Sequence, residues 1–297
     1  MEGKDIKPDE MRIIRMPEFS AIYYGLLESG YEFYTIERSA GHIEALRKFR
    51  GQENASGFFA GTKQQTCEVY PYWPRAFIQE TAALFLNEDC TGFRDEKALR
   101  GRIREAGTIT DRERGEDLWE WLEGFPKALR QIKESDSFTA YTEWEKRWVE
   151  EENKAYRKEL SLIGRILDNC ISRYRSPVKE IRICVNPIKC VYSSDYHLDG
   201  DCFLFTSGVL RTESVIHEFL HHVVHPFMEE QKPLILERRP ADETIDESYY
   251  QEGSNSGILN AFEETAVRSL TETVMQEDYP GDLTDYIHKI LEKNAER

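Results

Sequence analysis

The sequence predicts an α+β protein with a mainly helical N-terminal half. Three observations carry that expectation. Apolar residues recur at helical spacing from about residue 75 to 175. Strand-like alternation begins near Ser176-Pro177, and helical spacing returns shortly after Gly208. A chain of 297 residues is long enough to bury a full core in one or two domains. The change in texture divides it into a mainly helical region, 1–175, and a second region, 176–297. The two can also form one continuous unit.

Taken in order, Ala76 to Leu86, Leu118 to Leu129 and Trp144 to Leu167 read as helices. The charged run Glu150-Glu151-Glu152-Asn153-Lys154 reads as a solvated helix face. Ile181 to Val185 alternates as a strand that Asn186-Pro187 ends. Cys190 to Ser193 is expected to pair with it. Asp199-Gly200-Asp201 is a turn signal, and Cys202 to Thr206 is the next strand, ended by Ser207-Gly208. A histidine-rich helix follows and is expected to stop near His225, because Pro226 disfavours helix at the residue before it. Residues 229–257 read as a long polar connection, either disordered or a lid. Helices are expected from Ile258 to Met275 and from Leu283 to Leu291.

Composition narrows the class. Hydrophobic residues make up 40% and charged residues 32%, a globular balance. A net charge of −16 argues against a nucleic-acid or anionic-membrane partner, since both reward an excess of Lys and Arg. No stretch reads as a signal peptide or a membrane span, so a cytoplasmic chain is expected. The six cysteines form no C-x-x-C pair and read as free thiols rather than a zinc-cysteine site.

Four of the seven histidines fall within nine positions: His217, His221, His222 and His225. The run His217-Glu218-Phe219-Leu220-His221 is an H-E-x-x-H motif. On a helix, His217 and His221 lie one turn apart and about 40° around the axis from each other, so both imidazoles reach one zinc ion. Ile216, Leu220 and Val223 supply an apolar face to anchor that helix. Glu218 projects beside the metal without binding it. Zinc lowers the pKa of water to roughly 7, and a neighbouring carboxylate takes the proton and passes it to a leaving amine. His222 points away from His217. His225 lies one turn past His221, either lining the cleft or capping the helix C-terminus.

A catalytic zinc site needs a third protein ligand and an open position. The residues after His221 lack the spacing of a metzincin, and His288 is isolated. The remaining source is the helix containing Glu263 and Glu264. Leu259, Phe262, Ala266 and Leu270 form its buried stripe, and Glu264 lies on the other side with Arg268 one turn on. That favours Glu264 as ligand with Arg268 as its partner, and leaves Glu263 as the alternative.

This pattern resembles the gluzincin-type metallopeptidases. The motif followed by Val224-x-Pro226, with Glu264-x-x-Val267-Arg268 downstream, is similar to a bacterial family known as a domain of unknown function, the DUF4932 type. Leu220 and His222 depart from that family's small or polar residues. The resemblance covers about residues 178 to 275. It implies a zincin-like C-terminal half with a small mixed sheet, a peptide or protein substrate, and zinc as cofactor. It also implies an edge strand that binds the substrate backbone, here Cys202 to Thr206. A Tyr or His that stabilises the oxyanion is implied too, with Tyr249, Tyr250 and His225 as candidates. Two other readings remain: a zincin-fold binding protein without catalysis, and a zinc hydrolase of a non-peptide bond.

Overall fold

The computed structural model describes residues 10–30, 39–50, 56–60, 76–105, 115–238 and 255–295. Within them the protein is α+β, with helices predominating around one four-stranded mixed sheet. The strands are β1 (Ile13–Ile14), β2 (Glu180–Val185), β3 (Ser194–Asp199) and β4 (Cys202–Ser207), in the order β1-β2-β4-β3. β1 and β4 both run parallel to β2, whereas β3 pairs antiparallel with β4. No helix among the described residues is long and apolar enough to cross a membrane.

Every residue of β4 is buried, because both faces of the sheet are covered. On one face Ile183, Val185, Phe203 and Phe205 join a core with four helices: α9 (Arg157–Tyr174), α10 (Thr212–Arg238), α11 (Asn255–Met275) and α12 (Leu283–Ala295). On the other face Cys184 and Leu204 join a second core. It is built from α1 (Pro17–Glu28), α4 (Phe77–Leu84), α7 (Phe125–Lys133) and α8 (Asp136–Ala155), among other helices. The remaining described helices are α2 (Ala40–Arg47), α3 (Ser56–Ala60), α5 (Glu96–Glu105) and α6 (Gly115–Glu123). Strand β1 and helix α9, from the N-terminal side of residue 175, thus pack in the same core as α10 and α11.

Several expectations are corrected. The single helix expected from Trp144 to Leu167 is two, α8 and α9, with a break at Tyr156. Buried Val149 and Leu160 are about three turns apart, so the apolar stripe crosses the break in phase. Gly124 likewise divides Leu118–Leu129, and Pro126 opens the following helix. Helix α10 does not stop at His225 but runs to Arg238 with Pro226 and Pro233 inside it. Burial of Phe227, Met228 and Ile235 in the core outweighs the two lost backbone donors. This also replaces the first ten residues of the expected polar connection by helix; residues 239–254, with the suggested lid, lie outside the described residues.

Cys190 to Ser193 forms a turn rather than a strand beside β2, closed by Ser193 N–H donating to the Cys190 carbonyl at 3.2 Å. Its cause is Lys189, whose ammonium turns inward. It bonds Asp195 at 2.7 Å, Thr206 Oγ1 at 2.7 Å and Glu80 at 3.0 Å, with 1% of its side chain exposed. Gly208 lets the chain pass this turn: a Cβ there would sit 2.5 Å from the Cys190 carbonyl oxygen and closer still to that of Lys189. The five described cysteines are free and buried.

Burial alone would raise the pKa of Glu80, but Lys189 and His197 outweigh it and lower the value to about 2. A depressed carboxylate contributes stability that is complete above its ordinary pKa and lost as pH falls through the folded value. The stability difference between wild type and Glu80→Gln should therefore shrink between about pH 4.5 and pH 2, measured by urea unfolding across that range. A difference that stays constant down to pH 2 would contradict this assignment.

Candidate metal centre

The H-E-x-x-H residues lie on α10, whose buried side is Val215, Ile216, Phe219, Leu220 and Val224. That side packs on the sheet and on α9 and α11, which turns His217 and His221 toward α11. Their Nε2 atoms lie 3.2 Å apart. Glu264 on α11 completes the group: Oε1 is 3.7 Å from His217 Nε2 and Oε2 is 3.4 Å from His221 Nε2. One donor atom from each of the three lies within 4.8 Å of the others. Ligand atoms about 2.1 Å from a tetrahedral zinc stand about 3.4 Å apart, so these separations fit the ion.

Glu263 faces the other side of His221. Its Oε1 is 2.9 Å from His221 Nδ1 and its Oε2 is 3.0 Å from His225 Nδ1. A carboxylate at Nδ1 favours the tautomer that leaves the Nε2 lone pair directed at the centre. His225, 57% exposed, thus meets Glu263 rather than the convergence point. Arg268 Nε donates to Glu264 Oε1 at 2.7 Å, the partnership its spacing suggests. His222 turns to Ser176 Oγ at 3.1 Å and to the Phe219 ring, away from the group. His288 lies against Phe227 instead. Tyr249 and Tyr250 are outside the described residues.

Glu218 is half-buried, and its charge acts on both His221 and Tyr196. Tyr196 was not evident from the sequence as a site residue. It stands on β3 with its ring nearly parallel to that of His221, centroids 6.4 Å apart and planes at 12°. Its hydroxyl has no hydrogen bond among the described residues. Burial, then Glu263 and Glu218, hold its pKa well above the usual tyrosine range, so it stays an O–H donor. The signal that could have exposed it is alternation: Tyr196 and His197 are adjacent on a strand and must face opposite sides.

The expected edge strand is also corrected. Cys202–Ser207 is paired on both sides, and β3 is the edge among the described residues. Asp199 and Cys202 flank a two-residue turn in which Gly200 has φ 63°. Such a pair exchanges both backbone bonds, so Asp199, His197 and Asp195 bond β4. Ser194, Tyr196 and Leu198 then direct their N–H and C=O groups outward. Arg102 on α5 donates to the outward carbonyl of Leu198.

No family model, curated protein or solved structure matches this chain.

Burial works against a charged His221, but its bonds to Glu263 and Glu264 prevail and raise its pKa to about 10. In the metal-free protein, histidine NMR titration should find His221 still protonated at pH 8, and Glu263→Gln should lower its midpoint. A midpoint near 6.5 in both proteins would contradict the paired geometry.

Proposed function

We propose that the chain is a zinc-dependent metallopeptidase with His217, His221 and Glu264 as ligands and Glu218 as general base. The observation that carries this reading is the convergence of both Nε2 atoms and the Glu264 carboxylate at tetrahedral spacing, with Glu218 on the same helix. The zincin-like resemblance of residues 178 to 275 adds to it. Zinc in such a site acidifies water and polarises a carbonyl.

The chain's own residues divide the remaining work. Glu263 orients His221, and Arg268 holds Glu264 in place. Glu218 accepts a proton from the attacking water and delivers it to the leaving amine. The outward backbone groups of Tyr196 and Leu198 suit pairing with an extended peptide, which favours a peptide substrate over other hydrolysable bonds. Tyr196 supplies a hydroxyl donor for the substrate oxygen as charge develops on it. The centre is open to solvent, with ligand side chains 18–22% exposed, as substrate access requires. Glu218 gives a purely binding protein no advantage, so its presence favours catalysis.

The protein should bind one zinc and cleave members of a mixed peptide library. Glu218→Gln should keep the metal and lose about 10²- to 10⁴-fold in kcat. Glu264→Ala should nearly abolish zinc affinity, whereas Glu263→Gln should lower it about 10- to 100-fold. The reverse ranking of the two glutamates, measured by chelator competition, would overturn the ligand set.

Tyr196→Phe keeps the ring against His221 and removes only the hydroxyl. It should lower kcat about 10²- to 10³-fold with metal affinity unchanged. Unaltered kcat would remove Tyr196 from the reaction.

A further inference from the structure

A buried cluster of charged side chains lies on the far side of the sheet from the candidate metal centre. Lys189 bonds Glu80, Asp195 and Thr206 there. Glu80 also receives Tyr23 Oη–H at 2.6 Å and Thr206 Oγ1–H at 3.0 Å, and meets His197 Nε2 at 2.9 Å. These side chains come from α1, α4, the turn before β3, β3 itself and β4. All are within a few per cent of complete burial.

Two of them, Asp195 and His197, belong to β3 and flank Tyr196. Strand geometry sends 195 and 197 to one face and 196 to the other. Each side of β3 is therefore engaged differently. On one side Asp195 is tied to Lys189, while His197 is tied to Glu80 and stacked on Phe77 at 4.9 Å. On the other, Tyr196 lies against Phe203 and His221. Among the described residues β3 has a neighbouring strand on one edge only, so its backbone ladder with β4 does not fix it from the outside.

We propose that the Lys189-centred cluster is a positioning device. It clamps the edge strand β3 to the helical N-terminal half, and so fixes Tyr196 and the outward backbone groups relative to the metal centre. Lys189, Glu80 and Asp195 are positioning residues that act through β3; none touches the centre. The helical half is then a working part of the site and not an appended module. Metal affinity itself does not pass through this clamp, because the ligands stand on α10 and α11.

The catalytic consequence rests on the metallopeptidase reading, whereas the mechanical one does not. Lys189→Met alone leaves two carboxylates buried without their cation, so the main variant neutralises all three charges: Glu80→Gln/Lys189→Met/Asp195→Asn. A milder variant, Thr206→Val, removes one partner of Lys189 and keeps the shape. Both are measured in the full chain by amide hydrogen exchange, zinc affinity and peptide kinetics. Exchange at the Asp195, His197 and Asp199 amides should rise at least about tenfold in the triple variant, and in the same local pattern but less in Thr206→Val. Amides of α10 and the zinc affinity should stay at wild-type values. For peptides KM should rise and kcat should fall, each about tenfold, because β3 carries both the outward backbone groups and Tyr196. Wild-type exchange along β3 in Thr206→Val, or in the triple variant, overturns the proposal. So does a loss of protection spread evenly over β3 and α10 together with weaker zinc binding, which marks general stability. If the wild-type protein binds zinc and cleaves nothing, the peptidase reading falls while the exchange result still decides the clamp.

Discussion

Two-sided burial of strand β4 is the constraint on which the rest of the structure depends. A strand with both faces covered must feed alternate residues to two cores, and β4 does so: Phe203 and Phe205 on one side, Leu204 and Thr206 on the other. Each core then needs its own set of helices. The side that receives the phenylalanines also seats α10 and α11, whose mutual packing brings the histidines to the glutamates. The side that receives Thr206 must satisfy a hydroxyl away from water, and the cluster around Lys189 does that.

The candidate metal centre and the proposed clamp present opposite electrostatic arrangements. At the centre, two imidazoles and a carboxylate are partly open and arranged around a position for a cation. In the clamp, the cation is part of the chain and two carboxylates are arranged around it. In the function proposed above, the first arrangement takes its cation from solvent. The second is sealed, and removal of either sign leaves the other buried without a partner.

The sequence made some of this legible and hid the rest for physical reasons. His217 and His221 were readable because helix periodicity forces them to one side. The Glu263–Glu264 pair was readable as the acidic pair that faces the histidines, and the apolar stripe around it separated the two. Adjacent helix positions differ by about 100°, so one glutamate meets Nε2 and the other Nδ1. The position of β4 was not readable, because a continuous apolar run does not say which strands flank it. A lone lysine in a turn looks like a surface lysine until its buried partners, one more than a hundred residues away in sequence, are brought to it. The break at Tyr156 was hidden because the stripe crosses it in phase, and the continuation of α10 past two prolines was decided by tertiary burial.

The contact between Arg102 and the Leu198 carbonyl has a consequence for self-association. An open strand edge is a template for any extended chain, including a second copy of the same strand. Arg102 occupies one of the outward acceptors of β3, and the Arg94–Asp199 ion pair at 3.4 Å sets charge at the hairpin end. The usable edge is thereby shortened to the stretch around Ser194 and Tyr196. Among the described residues that leaves little edge on which two folded copies could pair in register, so the contact from α5 works against edge-to-edge association.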